Sequence, residues 1–185
     1  MFKKFVLISM IAMITASGLQ AQEYFSDKKS SFFGLSATLS SSGGDLYEDN
    51  SGNRFTNGTI AGSWNYFVAK QFFIGGAVAT TFQAQGANDA TVVGIGPQMG
   101  FAFGKPDSRS LPFLTVGYRF EKYTGGNSSM NGSDVMFGLG FLFKAVDHLG
   151  VTVEAGYHLK SVNSGGVSAS GNVFMVGVGL TGLLF

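Results

Sequence analysis

The 185-residue chain has no cysteine. That one absence rules out a disulfide framework, a thiolate metal site and a lipid-anchored lipoprotein. Charge is scarce too, at 12% of residues, where a soluble domain carries about 25%. The 12 basic residues nearly balance the 11 acidic ones, so there is no electrostatic case for nucleic acid, whose binding depends on Lys and Arg neutralising phosphates. Proline occurs three times. The apolar stretch that ends the chain, residues 172–185, is too short and too glycine-rich for a spanning helix, which needs about 20 predominantly apolar residues. Glycine (28) and phenylalanine (19) are plentiful, and neither favours helix.

At the amino end, Lys3 and Lys4 form a positive n-region and residues 5–14 an apolar h-region. The cleavage zone is Gly18-Leu19-Gln20-Ala21-Gln22. These are the three parts of a secretory signal peptide. Cleavage after Ala21 gives a signal peptide of residues 1–21; cleavage after Gly18, which places the small Ala16 three positions earlier, is the alternative. Loss of Lys3 and Lys4 leaves 10 basic against 11 acidic residues, a net charge of about −1. The 164 mature residues make one domain.

Eight segments of the mature chain alternate bulky and small side chains over about ten residues each, the signature of strands. Residues 113–122 set Leu114, Val116, Tyr118 and Phe120 against Thr115, Gly117, Arg119 and Glu121; residues 151–160 set Val151, Val153, Ala155, Tyr157 and Leu159 against Thr152, Glu154, Gly156, His158 and Lys160. The same alternation runs through residues 32–40, 59–68, 91–103, 135–143 and 172–185, and is blurred in 72–82 by Gly75, Gly76, Ala77 and Ala79. Eight strands closed on themselves have an interior that side chains alone can fill. Small and polar residues therefore face the lumen and bulky ones face outward, the inverse of a soluble barrel. Nine or ten residues at about 3.3 Å each, tilted by about 40°, span the roughly 25 Å apolar band of an outer membrane.

Connections set the orientation. The polar loop 41–57 and the Gly/Asn/Ser-rich loops 83–90, 123–132 and 161–171 are expected outside the cell; the short turns near 69–71, 104–111 and 144–150 are expected in the periplasm together with both termini. Tyr66, Phe67, Phe72, Phe73, Phe101, Phe103, Phe113, Phe141 and Phe143 would form the inner aromatic girdle, and Phe55, Phe82, Phe120, Tyr123 and Tyr157 the outer one.

The pieces Val116-Gly117-Tyr118-Arg119-Phe120 and 138–157 resemble the strand-turn-strand repeats of the outer-membrane protein beta-barrel domain, the OmpA/OmpX-like superfamily of eight-stranded barrels. The signal ending Ala21-Gln22 resembles exports of Bacteroidetes-type bacteria. The resemblance covers the mature chain as a pattern of spacing and carries no invariant site. It implies an all-β fold, an eight-stranded antiparallel transmembrane up-and-down β-barrel over residues 32–185, behind a periplasmic lead of residues 22–31. Its implied partners are outer-membrane lipids and lipopolysaccharide, with the barrel-insertion machinery engaging the last strand through the carboxyl-terminal Phe185; the protein would be a monomer without cofactor or metal. One departure concerns Phe185. If Val176, Val178 and Leu180 face lipid, Phe185 has the opposite parity, which calls for a bulge near Gly182 or a reversed face.

The chain has two histidines, His148 and His158, and no nucleophile elbow, phosphate loop or His-Glu-x-x-His motif. His158 with Ser161 or Ser164 is the only start for hydrolytic chemistry, and a satisfied interior histidine explains it more simply. Asp45, Glu48, Asp49, Asn50 and Asn53 offer oxygen ligands for calcium but lack the order of a known site, so a solvated loop is the simpler reading. Parity instead gathers Arg119, Glu121, Asp134, Glu154, His158 and Lys160 in the lumen. Buried charges must be paired, so a mixed-sign network plugging the lumen is expected. The function that follows is non-enzymatic, structural or surface-interacting in the outer membrane of a Gram-negative bacterium. A narrow channel or carrier for small or hydrophobic solutes is the alternative. A secreted lipocalin-like binder is disfavoured because that barrel would hold an apolar cavity.

Overall fold

The computed structural model describes residues 29–43, 56–85, 88–103, 108–125, 128–164 and 167–185. Eight strands follow one another: β1 (Ser31–Gly43), β2 (Thr56–Ala69), β3 (Phe72–Gln85), β4 (Asn88–Ala102), β5 (Ser110–Gly125), β6 (Ser128–Val146), β7 (Leu149–Ser164) and β8 (Val167–Leu184). Each pairs antiparallel with its sequence neighbours, and β8 returns to β1. Closure leaves no unpaired sheet edge, the condition for strands to lie in hydrocarbon. The signal sequence, its cleavage zone and Phe55 lie outside the described residues.

The faces follow the alternation in the sequence. Leu35, Trp64, Ile95, Leu114, Leu139, Val153 and Val178 are exposed on the outer wall, while Asn65, Arg119, Asp134, His158 and Thr181 are buried in the lumen. A belt of exposed apolar side chains around a polar interior is the inverse of a soluble core and is the arrangement lipid permits. Glycines make the interior possible. A Cβ at Gly96 would lie 1.9 Å from the carbonyl oxygen of Tyr118, so only glycine lets β4 approach β5 this closely.

Strand length differs from the sequence expectation. Stretches 83–90, 123–132 and 161–171, read as loops, are mostly strand: Gln85 pairs with Asn88, Gly125 with Ser128 and Ser164 with Val167. Their Ser, Asn and Gly content reports exposure to water beyond the apolar belt, while ladder hydrogen bonds and the buried trio Val92, Tyr123 and Val162 keep them extended. Outside, the belt ends at Phe120, Val135, Leu159 and Phe174 and gives way to Lys122, Ser133, Ser161 and Asn172. The 19 residues of β6 rise about 45 Å along the axis at a tilt of about 40°, well past a band of about 25 Å. The segment between β1 and β2, residues 44–55, lies outside the described residues.

Four aromatics placed in the girdles, Phe67, Phe73, Phe113 and Tyr123, point inward instead. Phe67 and Phe73 are each 1% exposed and pack with Ala102, Leu111, Leu142 and Leu183 across the end of the barrel that carries both termini, with Phe32, Phe113 and Phe185 against them. Successive side chains of a strand alternate faces, so the pairs Tyr66-Phe67 and Phe72-Phe73 each send one ring into the lumen. Tyr123 enters at the far end by the same rule. Phe101, Phe103, Phe141 and Phe143 remain exposed at the terminal end, and Phe82, Phe120 and Tyr157 on the wall above.

The register of β8 runs unbroken, from Ser31↔Leu184 to Gly43↔Asn172 against β1 and from Leu149↔Gly182 to Ser164↔Val167 against β7. No bulge occurs near Gly182, and Val176, Val178 and Leu180 do face outward, so neither resolution of the Phe185 parity conflict applies. Phe185 lies just beyond the strand, half-buried against the apolar cluster. The His148 ring sits 5.1 Å from its ring and Lys144 Nζ 5.9 Å above it.

Candidate functional site in the barrel lumen

Register brings charged side chains of three strands side by side. Arg119 of β5 pairs with Asp134 of β6, and Asp134 with Lys160 of β7; all three point inward. Asp134 is 0% exposed. Its Oδ2 accepts a hydrogen bond from His158 Nδ1 at 2.8 Å and faces Lys160 Nζ at 3.4 Å and Arg119 Nη1 at 3.9 Å. Lys160 also pairs with Glu121 Oε1, and the Tyr123 hydroxyl donates to Glu121 Oε2 at 2.6 Å. The carboxylate of Asp134 can only accept, so His158 carries its proton on Nδ1 when neutral and turns Nε2 the other way. A Cβ at Gly156 would lie 3.0 Å from that Nε2. On the adjacent strand β4, Gly94 pairs with Glu121 and a Cβ there would come within 3.3 Å of Glu121 Cγ; the glycine makes room for the long side chains.

In this cluster the carboxylates of Asp134 and Glu121 face Arg119, His158 and Lys160. Such pairing is what buried charge requires, because an isolated ion in low dielectric costs several kcal/mol. Arg119 Nε and Asp134 Oδ1 remain without a hydrogen-bond partner.

Glu154 stands apart. Expected in the same network, it is half-buried four residues before His158 and, among the described residues, makes neither an ion pair nor a hydrogen bond. It lines a cavity of about 120 Å³ between the charged cluster and the apolar plug, together with Arg119, His158, Thr152, Asn65 and Gln98. Hydrogen bonds tie these walls: Thr152 to Thr181 at 2.5 Å and Gln98 Nε2 to Asn65 Oδ1 at 2.7 Å. Below them the rings of Phe32 and Phe73 meet edge-on at 5.1 Å, and those of Phe67 and Phe73 at 5.6 Å.

Three groups thus stack along the axis: the apolar plug at the terminal end, the charged cluster, and Val92, Tyr123 and Val162 with Met130 at the far end. Inward parity already marked Asn65 and Gln98 as lumenal. Phe67 shares the parity of Asn65, and Tyr123 that of Arg119 and Glu121, so alternation turns them inward as well; their place at the strand ends had put them in the girdles instead. Ser161, weighed as a nucleophile beside His158, is exposed on the opposite face of β7 and cannot meet it. The side chain of Ser164 and the oxygen ligands at Asp45, Glu48, Asp49, Asn50 and Asn53 lie outside the described residues. Among the described residues no group of three or more His, Asp or Glu side chains is placed to hold a metal ion.

No protein-family model matches the chain, and no curated relative matches it in sequence. Solved structures do. Neisserial surface protein A superposes with a TM-score of 0.59 at 13% identity, covering 82% of this chain and 96% of that one. The outer membrane protein AlkL gives 0.53 at 11% identity over 90% and 94%. The outer membrane enzyme PagL gives 0.52 at 14% identity over 78% and 97%. These likenesses establish the fold, that of the small eight-stranded outer-membrane barrels, in agreement with the resemblance read from the sequence.

Proposed function

We propose that the chain is a non-enzymatic integral protein of a Gram-negative outer membrane, with both termini in the periplasm, and that it acts as a structural or surface-interacting barrel whose lumen does not conduct. The observation that carries this reading is the stack of buried groups along the axis, from Phe67 and Phe73 through Asp134 and its cations to Val92 and Val162. The exposed apolar belt supports membrane residence. Outer-membrane lipids and lipopolysaccharide are its expected surroundings, reached through the barrel-insertion machinery and the strand ending in Phe185.

A catalytic reading, raised by the likeness to an enzyme, has little support in this chain, since His158 Nδ1 is engaged by Asp134 and Ser161 faces outward. The cavity beside Glu154 favours one alternative, a carrier for small solutes.

Single-channel recording in planar bilayers tests the proposal. Wild-type protein is expected to give no steady conductance. Arg119→Ala combined with Glu154→Ala is expected to stay silent as well, because the plug at Phe67 and Phe73 lies in series with the charges. Steady ion-selective openings of the wild type would overturn the plugged barrel and promote a channel.

A further inference from the structure

Among the described residues one lumenal carboxylate has no partner. Arg119 and Lys160 are matched by Asp134 and Glu121 across the cluster. The third lumenal carboxylate, Glu154, lies outside that cluster on the wall of the mid-lumen cavity, where no described side chain donates to it. An uncompensated carboxylate inside a barrel that crosses hydrocarbon is costly.

We propose that this chamber is a binding site for a small organic cation bearing a primary ammonium group, with Glu154 as its counter-ion. Three features of the chamber favour that class. Acceptors stand on the wall with Glu154: the hydroxyls of Thr152 and Thr181 can accept as well as donate, and the cation that shares the wall, Arg119, is paired with Asp134. An ammonium group supplies three donors and no acceptor, which suits such walls. The floor is aromatic, with Phe32, Phe67, Phe73 and Phe113 lining the same cavity, and ring faces attract cations. Size sets the limit: about 120 Å³ is somewhat less than the roughly 150 Å³ that admits benzene, so the ligand has no more than about six non-hydrogen atoms. A bare inorganic cation would leave the apolar part of that volume unfilled.

The inference goes beyond the plugged-barrel reading, because a lumen closed to ion flow can still hold a solute. The two fail separately, one by conductance and the other by binding.

The experiment is a titration of ¹⁵N-labelled barrel in nanodiscs with ethylammonium chloride, followed by amide chemical shifts. The amine is present from refolding onward, so access to a closed chamber does not limit the result. Saturable shifts confined to the chamber walls, at residues such as Thr38, Thr152, Gly156 and Thr181, are expected in the wild type. Glu154→Gln, verified as folded by its spectrum, is expected to weaken binding by about tenfold or more, which corresponds to ~1.4 kcal/mol. Glu154→Ala serves as a second variant with the same expectation. Absence of saturable shifts in the wild type would overturn the proposal. So would equal binding by the variants, or the same shifts produced by potassium chloride alone.

Discussion

Oδ2 of Asp134 faces His158, Lys160 and Arg119 at once, while its Oδ1 has no partner. A single fully buried carboxylate therefore holds together side chains from β5, β6 and β7. Removing one member of a buried ion pair strands the other, which costs about 3 to 5 kcal/mol. Asp134→Asn leaves Lys160 with Glu121 alone and Arg119 without its ion pair, and is expected to lose stability on that scale in urea unfolding from lipid bilayers. Ser170→Ala, on the exposed face of β8, is the reference and should change almost nothing. Equal midpoints for the two variants would mean that the cluster adds nothing to barrel stability.

A strand of this barrel is two surfaces in one segment, and β6 and β7 show how unlike they are. Leu139 is 52% and Val153 39% exposed on the outer wall, and Leu139→Arg or Val153→Arg is expected to cost about 2 to 4 kcal/mol in folding into bilayers. Neighbouring inward positions are not uniformly tolerant. A Cβ at Gly140 would fall 2.5 Å from Phe113 Cζ and 2.8 Å from the carbonyl oxygen of Val153, so Gly140→Ser fails by collision although it adds no charge to lipid. Thr152→Ser keeps the hydroxyl that meets Thr181 and is the proper inward control, expected to lose under about 1 kcal/mol for one methyl group. Folding free energies from bilayer titrations decide the matter: if Thr152→Ser harmed the barrel more than both arginine changes, the two faces would have to be exchanged.

Closure belongs to the whole molecule. The pairing of β1 with β8 spans thirteen residue pairs, from Ser31↔Leu184 to Gly43↔Asn172, and no strand can leave without breaking two ladders. Such a barrel unfolds slowly and resists detergent while cold. The mature protein is expected to fractionate with the outer membrane and to migrate faster on a denaturing gel before boiling than after. Recovery in the soluble periplasm with no heat-dependent shift would remove the membrane barrel reading. Phe185 adds to the closure rather than to the lipid surface, since it packs under His148 and Lys144 against the plug.

The sequence by itself determined the number of strands and which face of each meets lipid, because period-two alternation is local and survives without knowledge of any partner strand. It also placed Arg119, Glu121, Asp134, Glu154, His158 and Lys160 inside, since parity alone assigns them to the lumen. Height and neighbourhood were another matter. Whether Glu154 joins the other charges depends on the stagger between β6 and β7, which sets Asp134 beside Lys160 and leaves Glu154 opposite Gly140. The aromatic plug was missed because rings near a turn read as an interface girdle; parity with Asn65 sends Phe67 inward, but only the pairing of Phe67 with Phe73 and the closure of the barrel bring these rings together with Phe32 and Phe113. The polar ends of β5 to β8 read as loop for a similar reason: composition reports contact with water, whereas only the ladders across Gly125↔Ser128 and Ser164↔Val167 make them strand.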